Sequence, residues 1–278
     1  MVSSTQRRKK YDWEMFRYIP SLIGAIISLV IFAILALLYS WQWIKARNHI
    51  VILAILTAIC EVGGYGARIG SHYDNKAWAP FLVQGTLLLV GPLFLAATIY
   101  MMLGRTIRLA GGEDISIIKP MWYTRIFVGA DVATFGIQGL GSGIMGTMKL
   151  HLALAGEKIV IAGLALQVAT FMAFLVAAAD FHIRMNRHNE ASVPQWKKML
   201  WILYAVSSLV LLRCVFRLVE YAMGNTKYLI SHEWTLFVFD TVPMVLALAI
   251  MLILQPSKYV ATRIEKTEEN DSQLGAKV

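Results

Sequence analysis

Eight ionisable or amide side chains lie inside stretches that are otherwise apolar: Glu61, Arg68, Asp131, Gln138, Arg213, Arg217, Glu220 and Asp240. Their spacing is helical. Glu61 and Arg68 are seven residues apart, as are Asp131 and Gln138. Arg213, Arg217 and Glu220 follow i, i+4, i+7, so each group shares one face of a helix. Asp240 stands three residues before Pro243. A charge at the middle of a membrane-spanning helix costs roughly 2.5–3.5 kcal/mol on insertion scales, so such residues turn inward and towards one another. Glu61, Asp131, Glu220 and Asp240 are set against Arg68, Arg213 and Arg217, close to balance. Two chemistries fit. The charges form internal ion pairs that fix helix order, or they line a polar cavity or head-group site. The two are compatible, because a polar cavity must be held open by something.

Other chemistries find little support. The histidines (His49, His72, His151, His182, His188 and His232) form neither HExxH nor HxxxH. Membrane zinc hydrolases need histidines in their last span, and retinal proteins need a lysine there; residues 235–256 contain neither. A G-x-S-x-G elbow and a Walker A loop are both missing. Cys60 and Cys214 have no CxxC neighbour and read as small buried hydrophobes. His232 beside Glu233 reads as a solvated pair at a span mouth. The expectation is a protein without enzymatic activity, metal or cofactor. Basic clusters interleaved with aromatics on a polar domain are also missing, which argues against nucleic acid as a partner.

The elements that must position these charges follow from composition. Of 278 residues, 58% are hydrophobic and 15% charged, and the mean hydropathy is +0.60. That balance suits lipid as solvent. A spanning helix needs roughly 20 mostly apolar residues, and seven candidates run at 18–43, 49–70, 78–104, 122–146, 157–182, 198–223 and 235–256. The second and fourth are weakened by glycines and charges. Backbone exposed to lipid must satisfy its own hydrogen bonds, so the expected fold is all-α, a bundle of seven transmembrane helices. The organisation is a polar segment at 1–17, one membrane domain at 18–256 and a polar tail at 257–278. Gly139 and Gly143 form a GxxxG, a helix-packing signal, and Pro92 and Pro243 predict kinks.

With these residues in view, the chain resembles the fungal RTA-like family, also called the lipid-translocating exporter family, over residues 18 to 256. "EVGGYGAR" carries the likeness through Glu61, Gly64, Tyr65 and Arg68. "GPLFLAATIYMMLGR" carries it through Pro92, Ala96, Tyr100 and Arg105, "FVGADVATFGIQ" through Asp131 and Gln138, and "GLALQVATFMAF" through Gly163 and Gln167. Residues 211–240 are the most specific part, with Arg213, Arg217, Glu220, Gly224, Glu233 and Asp240 in register and Pro243 just beyond. The resemblance implies a seven-helix fungal membrane protein linked to release of sphingoid long-chain bases, to resistance against toxic amphiphiles and to porphyrin or haem traffic. It adds Tyr65 and Gln167 to the polar set.

The leading functional expectation is therefore a translocator of lipids or toxic amphiphiles. In it, Glu61, Asp131, Glu220 and Asp240 converge from four spans to contact a cationic head while the tails stay in lipid. Its partners are membrane lipids and an amphiphilic small molecule. One alternative is a receptor or stress sensor using the same cavity. Another is haem or porphyrin transport, with His232 or His151 as axial ligand and the arginines on propionates. The plasma membrane is the expected location, with an internal membrane as the alternative. Lys45, Arg47, Arg105, Arg108, Lys119, Arg184, Arg187, Lys197, Lys198, Lys258, Arg263 and Lys266 collect on one face, against Lys76, Lys149, Lys227 and the N-terminal "RRKK" on the other. By the positive-inside rule the C-terminus is cytosolic and the N-terminus external. Protease treatment of intact cells carrying terminal tags should therefore remove an N-terminal tag and spare a C-terminal one; cleavage of the tail at 257–278 from outside would reverse the topology.

Overall fold

A computed structural model describes residues 21–46, 49–73, 78–112, 120–145, 150–188, 195–223 and 233–254. The polar segment at 1–17 and the tail at 257–278 lie outside the described residues, as do Gly224 and His232. The described elements are all helical: α1 (Leu22–Ala46), α2 (His49–Tyr73), α3 (Trp78–Ala110), α4 (Pro120–Met145), α5 (Leu150–His188) and α6 (Gln195–Met223). The last is a composite, called α7 below: an α turn at Glu233–Leu236, a π-helical turn at Phe237–Thr241 and an α segment at Val242–Leu254. Six of the seven, all but α4, are long and apolar enough to cross a membrane. α4 carries Arg125, Asp131 and several glycines, which lower its hydropathy. At 26 residues it still extends about 39 Å, more than the hydrocarbon core of a bilayer, and it packs along α3 and α5.

Each helix packs against its sequence neighbours, α1 meets α7 to close the ring, and α3 also touches α6 across the middle. α3 is the most deeply buried span, and Leu88, Leu95, Ile99, Tyr100, Leu103 and Ile107 are buried along it. The outside is apolar, as a lipid-facing surface must be: Ile23, Leu37 and Ile253 are each more than 70% exposed. Several hydroxyls within the spans are satisfied locally: Ser28, Thr57, Thr98 and Thr106 each donate to the carbonyl four residues earlier, whereas the buried Ser207 Oγ has no partner among the described residues. The four bonded hydroxyls therefore add no free polarity to the interior.

Helix ends follow local chemistry. α3 stops at Gly111, whose φ of 70° lies in the left-handed region that glycine enters without strain. Gly111 N–H donates to the Arg108 carbonyl and Gly112 N–H to that of Ile107, both at 3.1 Å, the paired bonds of a Schellman cap. α4 opens on Pro120, where the missing N–H removes nothing the helix would use. Pro92 lies inside α3 without ending it.

The α4–α5 seam corrects one expectation. Gly139 and Gly143 are exposed and have no neighbour where a Cβ would stand. The close approach is made by Gly141 and Gly156 instead. A Cβ on Gly141 would lie 2.8 Å from the Gly156 carbonyl oxygen, and one on Gly156 would lie 2.6 Å from that of Gly141. Small residues allow this backbone contact, but the GxxxG spacing selected the wrong face of α4. Gly156→Leu should therefore destabilise the protein by about 1–3 kcal/mol through overpacking, read as a lower melting temperature in detergent. Gly139→Leu should leave it unchanged.

Candidate functional site

The interior charges gather where α2, α3, α6 and α7 meet. Asp240 is the centre, buried to 1% exposure. Arg217 Nη2 donates to its Oδ2 at 2.8 Å and Arg217 Nε to its Oδ1 at 3.1 Å, a bidentate clamp. Arg213 Nε stands 2.8 Å from the same Oδ1, an ion pair outside hydrogen-bond angles. Arg217 Nη1 reaches Glu220 Oε2 at 3.2 Å. The i, i+4, i+7 spacing of α6 thus does what it predicted: it stacks two cations and one carboxylate on the face turned to α7.

The π turn presents Asp240. Val242 N–H closes it by bonding the Phe237 carbonyl five residues back. The wide turn precedes Pro243, which cannot donate a hydrogen bond of its own. Its residues fan out to different partners. Phe237 stacks on Tyr65 at 6.5 Å between ring centroids and lies under the Arg68 guanidinium at 5.8 Å. Phe239 stacks on Phe216 of α6 at 5.1 Å. Thr241 shares a 2.5 Å hydrogen bond with the Tyr65 hydroxyl. Tyr65 also stacks on Phe32 of α1 at 5.8 Å, so α1, α2 and α7 are joined at this level.

α3 contributes backbone. Pro92 cannot donate to the carbonyl four residues earlier, which leaves the Leu88 C=O without its helical partner. Arg213 Nη2 donates to that oxygen at 2.5 Å. An unsatisfied carbonyl in an apolar interior is costly, so Arg213 repairs a defect that Pro92 creates. One turn on, Gly91 makes room for Glu61. A Cβ at position 91 would lie 2.9 Å from Glu61 Oε1. Glu61 is 1% exposed, and its Oε1 has no hydrogen-bond partner.

Four acidic residues do not all converge. Glu61, Glu220 and Asp240 share the arginine network, whereas Asp131 is bonded elsewhere and accepts the Tyr100 hydroxyl at 2.7 Å. Tyr100 itself packs among Phe127, Phe171 and Phe174. Gln138 and Gln167 form a third polar contact, with Gln138 Nε2 donating to Gln167 Oε1 at 2.9 Å between α4 and α5. Asp131 and Gln138 do share a buried face of α4, but that face looks at α3 and α5 and not at the arginines. Arg68 is buried at 1% exposure. His151 is exposed at the start of α5. Leu88, Gly91, Phe237 and Thr241 were not picked out from sequence. The Pro92 arithmetic points to the Leu88 carbonyl four residues back, but the π turn has no comparable signal.

Seven helices around a buried, mutually paired set of charges define a multi-pass integral membrane protein. A family model described as RTA1-like protein matches residues 54–263, and the chain belongs to that family. It is 30% identical to Protein RTM1 of Saccharomyces cerevisiae, over 87% of this chain and 91% of the relative. It is 35% identical to Protoporphyrin uptake protein 1 of the same yeast, over 68% and 63%. Against a yeast Sphingoid long-chain base transporter RSB1 the identity is 28%, over 86% and 72%. No solved structure matches the chain.

Removing one member of a buried pair strands the other, at roughly 3–5 kcal/mol. Asp240→Asn leaves two guanidiniums without their shared carboxylate and should sharply lower the yield of folded protein, as should Arg217→Ala. Asp131→Asn keeps an oxygen for Tyr100 and should retain near wild-type melting and size-exclusion behaviour. Equal stability of the Asp240 and Asp131 variants would contradict this assignment.

Proposed function

We propose that the protein is a translocator of amphiphiles with a cationic head, such as sphingoid long-chain bases, and that Glu61 with the surrounding network takes the head group. The observation that carries the reading is a buried carboxylate oxygen without a hydrogen-bond partner, Glu61 Oε1, beside arginines already held by Asp240 and Glu220. Cations already neutralised leave little positive field for an anion. A carboxylate with spare acceptor capacity favours an ammonium group, and low dielectric strengthens the attraction. The tails remain among exposed apolar side chains such as Ile23 and Leu37. The name of the long-chain base transporter supports this class of substrate. The expected orientation has the N-terminus outside and the C-terminus in the cytosol, with the plasma membrane as location and no catalytic step.

Porphyrin transport is the second reading, favoured by the likeness to the protoporphyrin uptake protein. It would require propionates to displace Asp240 from Arg213 and Arg217. Of the two proposed axial ligands, His151 is exposed on α5, and His232 lies outside the described residues.

Proteoliposome flux of a labelled long-chain base separates these readings. Wild type should exceed protein-free vesicles several-fold, with no gain for protoporphyrin. Glu220→Gln preserves size and an acceptor for Arg217, and should slow the flux about tenfold, equivalent to about 1.4 kcal/mol. Flux equal to that of empty vesicles, or preference for the porphyrin, would reject the amine reading.

A further inference from the structure

Glu61 differs from the other carboxylates of the network. Asp240 holds two guanidiniums and Glu220 holds one, so among the described residues the close ion pairs of Arg213 and Arg217 go to these two groups. Arg68 sits seven residues from Glu61 on the same helix, roughly 10 Å along the axis, with its guanidinium over Phe237. The groups with electrostatic influence on Glu61 are Arg213 and Arg217 from α6 and Asp240 from α7. From α3 it meets Gly91, which brings no charge. Its helix neighbours are Cys60 and, one turn on, Tyr65, whose hydroxyl is taken by Thr241. A buried carboxylate with one oxygen lacking a hydrogen bond is costly as an ion, and taking a proton removes that cost.

We propose that Glu61 binds either a proton or the ammonium head of the substrate, one excluding the other, so that the protein exchanges protons for cationic amphiphiles. The proposal rests on the translocator reading above and adds its energy source. In the arrangement seen, Glu61 Oε1 is buried against Gly91, and a proton is the smallest cation that can neutralise it there. On release, its O–H bond breaks, the proton passes to water, and the carboxylate is left with a negative charge that has no direct partner at Oε1. That charge is met by the incoming ammonium, or in its absence by Arg213, which must then loosen its hold on the Leu88 carbonyl and on Asp240. Both of those partners sit at helix irregularities, Pro92 in α3 and the π turn in α7, where a packed helix can rearrange at least cost. One positive charge leaves as another enters, so the exchange is electroneutral and follows the pH gradient.

The test uses full-length protein in vesicles holding a pH-sensitive dye, with a long-chain quaternary ammonium compound as probe. Its permanent charge prevents it from carrying a proton by itself. Wild type should move the probe several-fold faster with an opposing proton gradient, and adding probe without a gradient should drive protons the other way. Glu61→Gln should abolish both the gradient dependence and the dye response. In case that variant fails to fold, dicyclohexylcarbodiimide provides a wild-type measurement, because it modifies protonated carboxyls in apolar surroundings. It should label the peptide containing Glu61, more slowly when the probe is present. Probe flux indifferent to the gradient with a silent dye, or labelling of Glu61 unaffected by the probe, would overturn the exchange and leave translocation standing. A wild type that moves no amphiphilic cation at all would overturn both.

Discussion

Two guanidiniums on one carboxylate, in a medium that cannot screen them, are the constraint around which the interior is arranged. Each ion taken from water into such surroundings costs several kcal/mol, and only close pairing recovers it. Arg213 and Arg217 therefore have to meet Asp240, and the backbone of α7 opens into a π turn that delivers it. The same turn hands Phe237 to Tyr65 and Arg68, Phe239 to Phe216 and Thr241 to Tyr65. A one-residue change of register in α7 would break all of these contacts together. The ion pair thereby fixes the rotation of α7 relative to α2 and α6.

Proline chemistry ties α3 into that arrangement. Pro92 leaves the Leu88 carbonyl without its helical donor four residues on, and Arg213 supplies one. One side chain thus neutralises a carboxylate on α7 and repairs the backbone of α3. Gly91, next to the proline, gives Glu61 its space. The functional proposal depends on this adjacency: of the two carboxylates with a buried, unpartnered oxygen, Glu61 and Asp131, Glu61 is the one that shares the arginine network and lies beside the two places where helical hydrogen bonding is already interrupted. A transporter must change shape around its site, and breaks in helices are where it can do so without exposing backbone to lipid.

The remaining polar contacts work as separate latches. Tyr100 with Asp131 joins α3 to α4, and Gln138 with Gln167 joins α4 to α5. The second latch is brought within reach by the backbone contact of Gly141 with Gly156. These are neutral or singly charged contacts in well-packed surroundings, and they hold one side of the ring while the charge-rich side carries the proposed chemistry.

Much of this was decided by residue order alone. Six of the seven helices, their approximate limits and the burial of Glu61, Asp131, Arg213 and Asp240 follow from hydropathy and from the cost of charge in lipid, while α4 is the weak span. Both are local properties of a segment in its solvent. The shared face of Arg213, Arg217 and Glu220 follows from helix periodicity. Periodicity says which residues of one helix lie together, but it is silent on which face of another helix they meet. Tertiary packing decided that Asp131 turns to Tyr100 and away from the arginines. It decided that Gly141 makes the close contact in place of Gly139 and Gly143. It also placed Glu61 against Gly91 with one oxygen unpartnered. The π turn at Phe237–Thr241 belongs to the same group: its wider turn is sustained by partners on α2 and α6, none of which is near it in sequence.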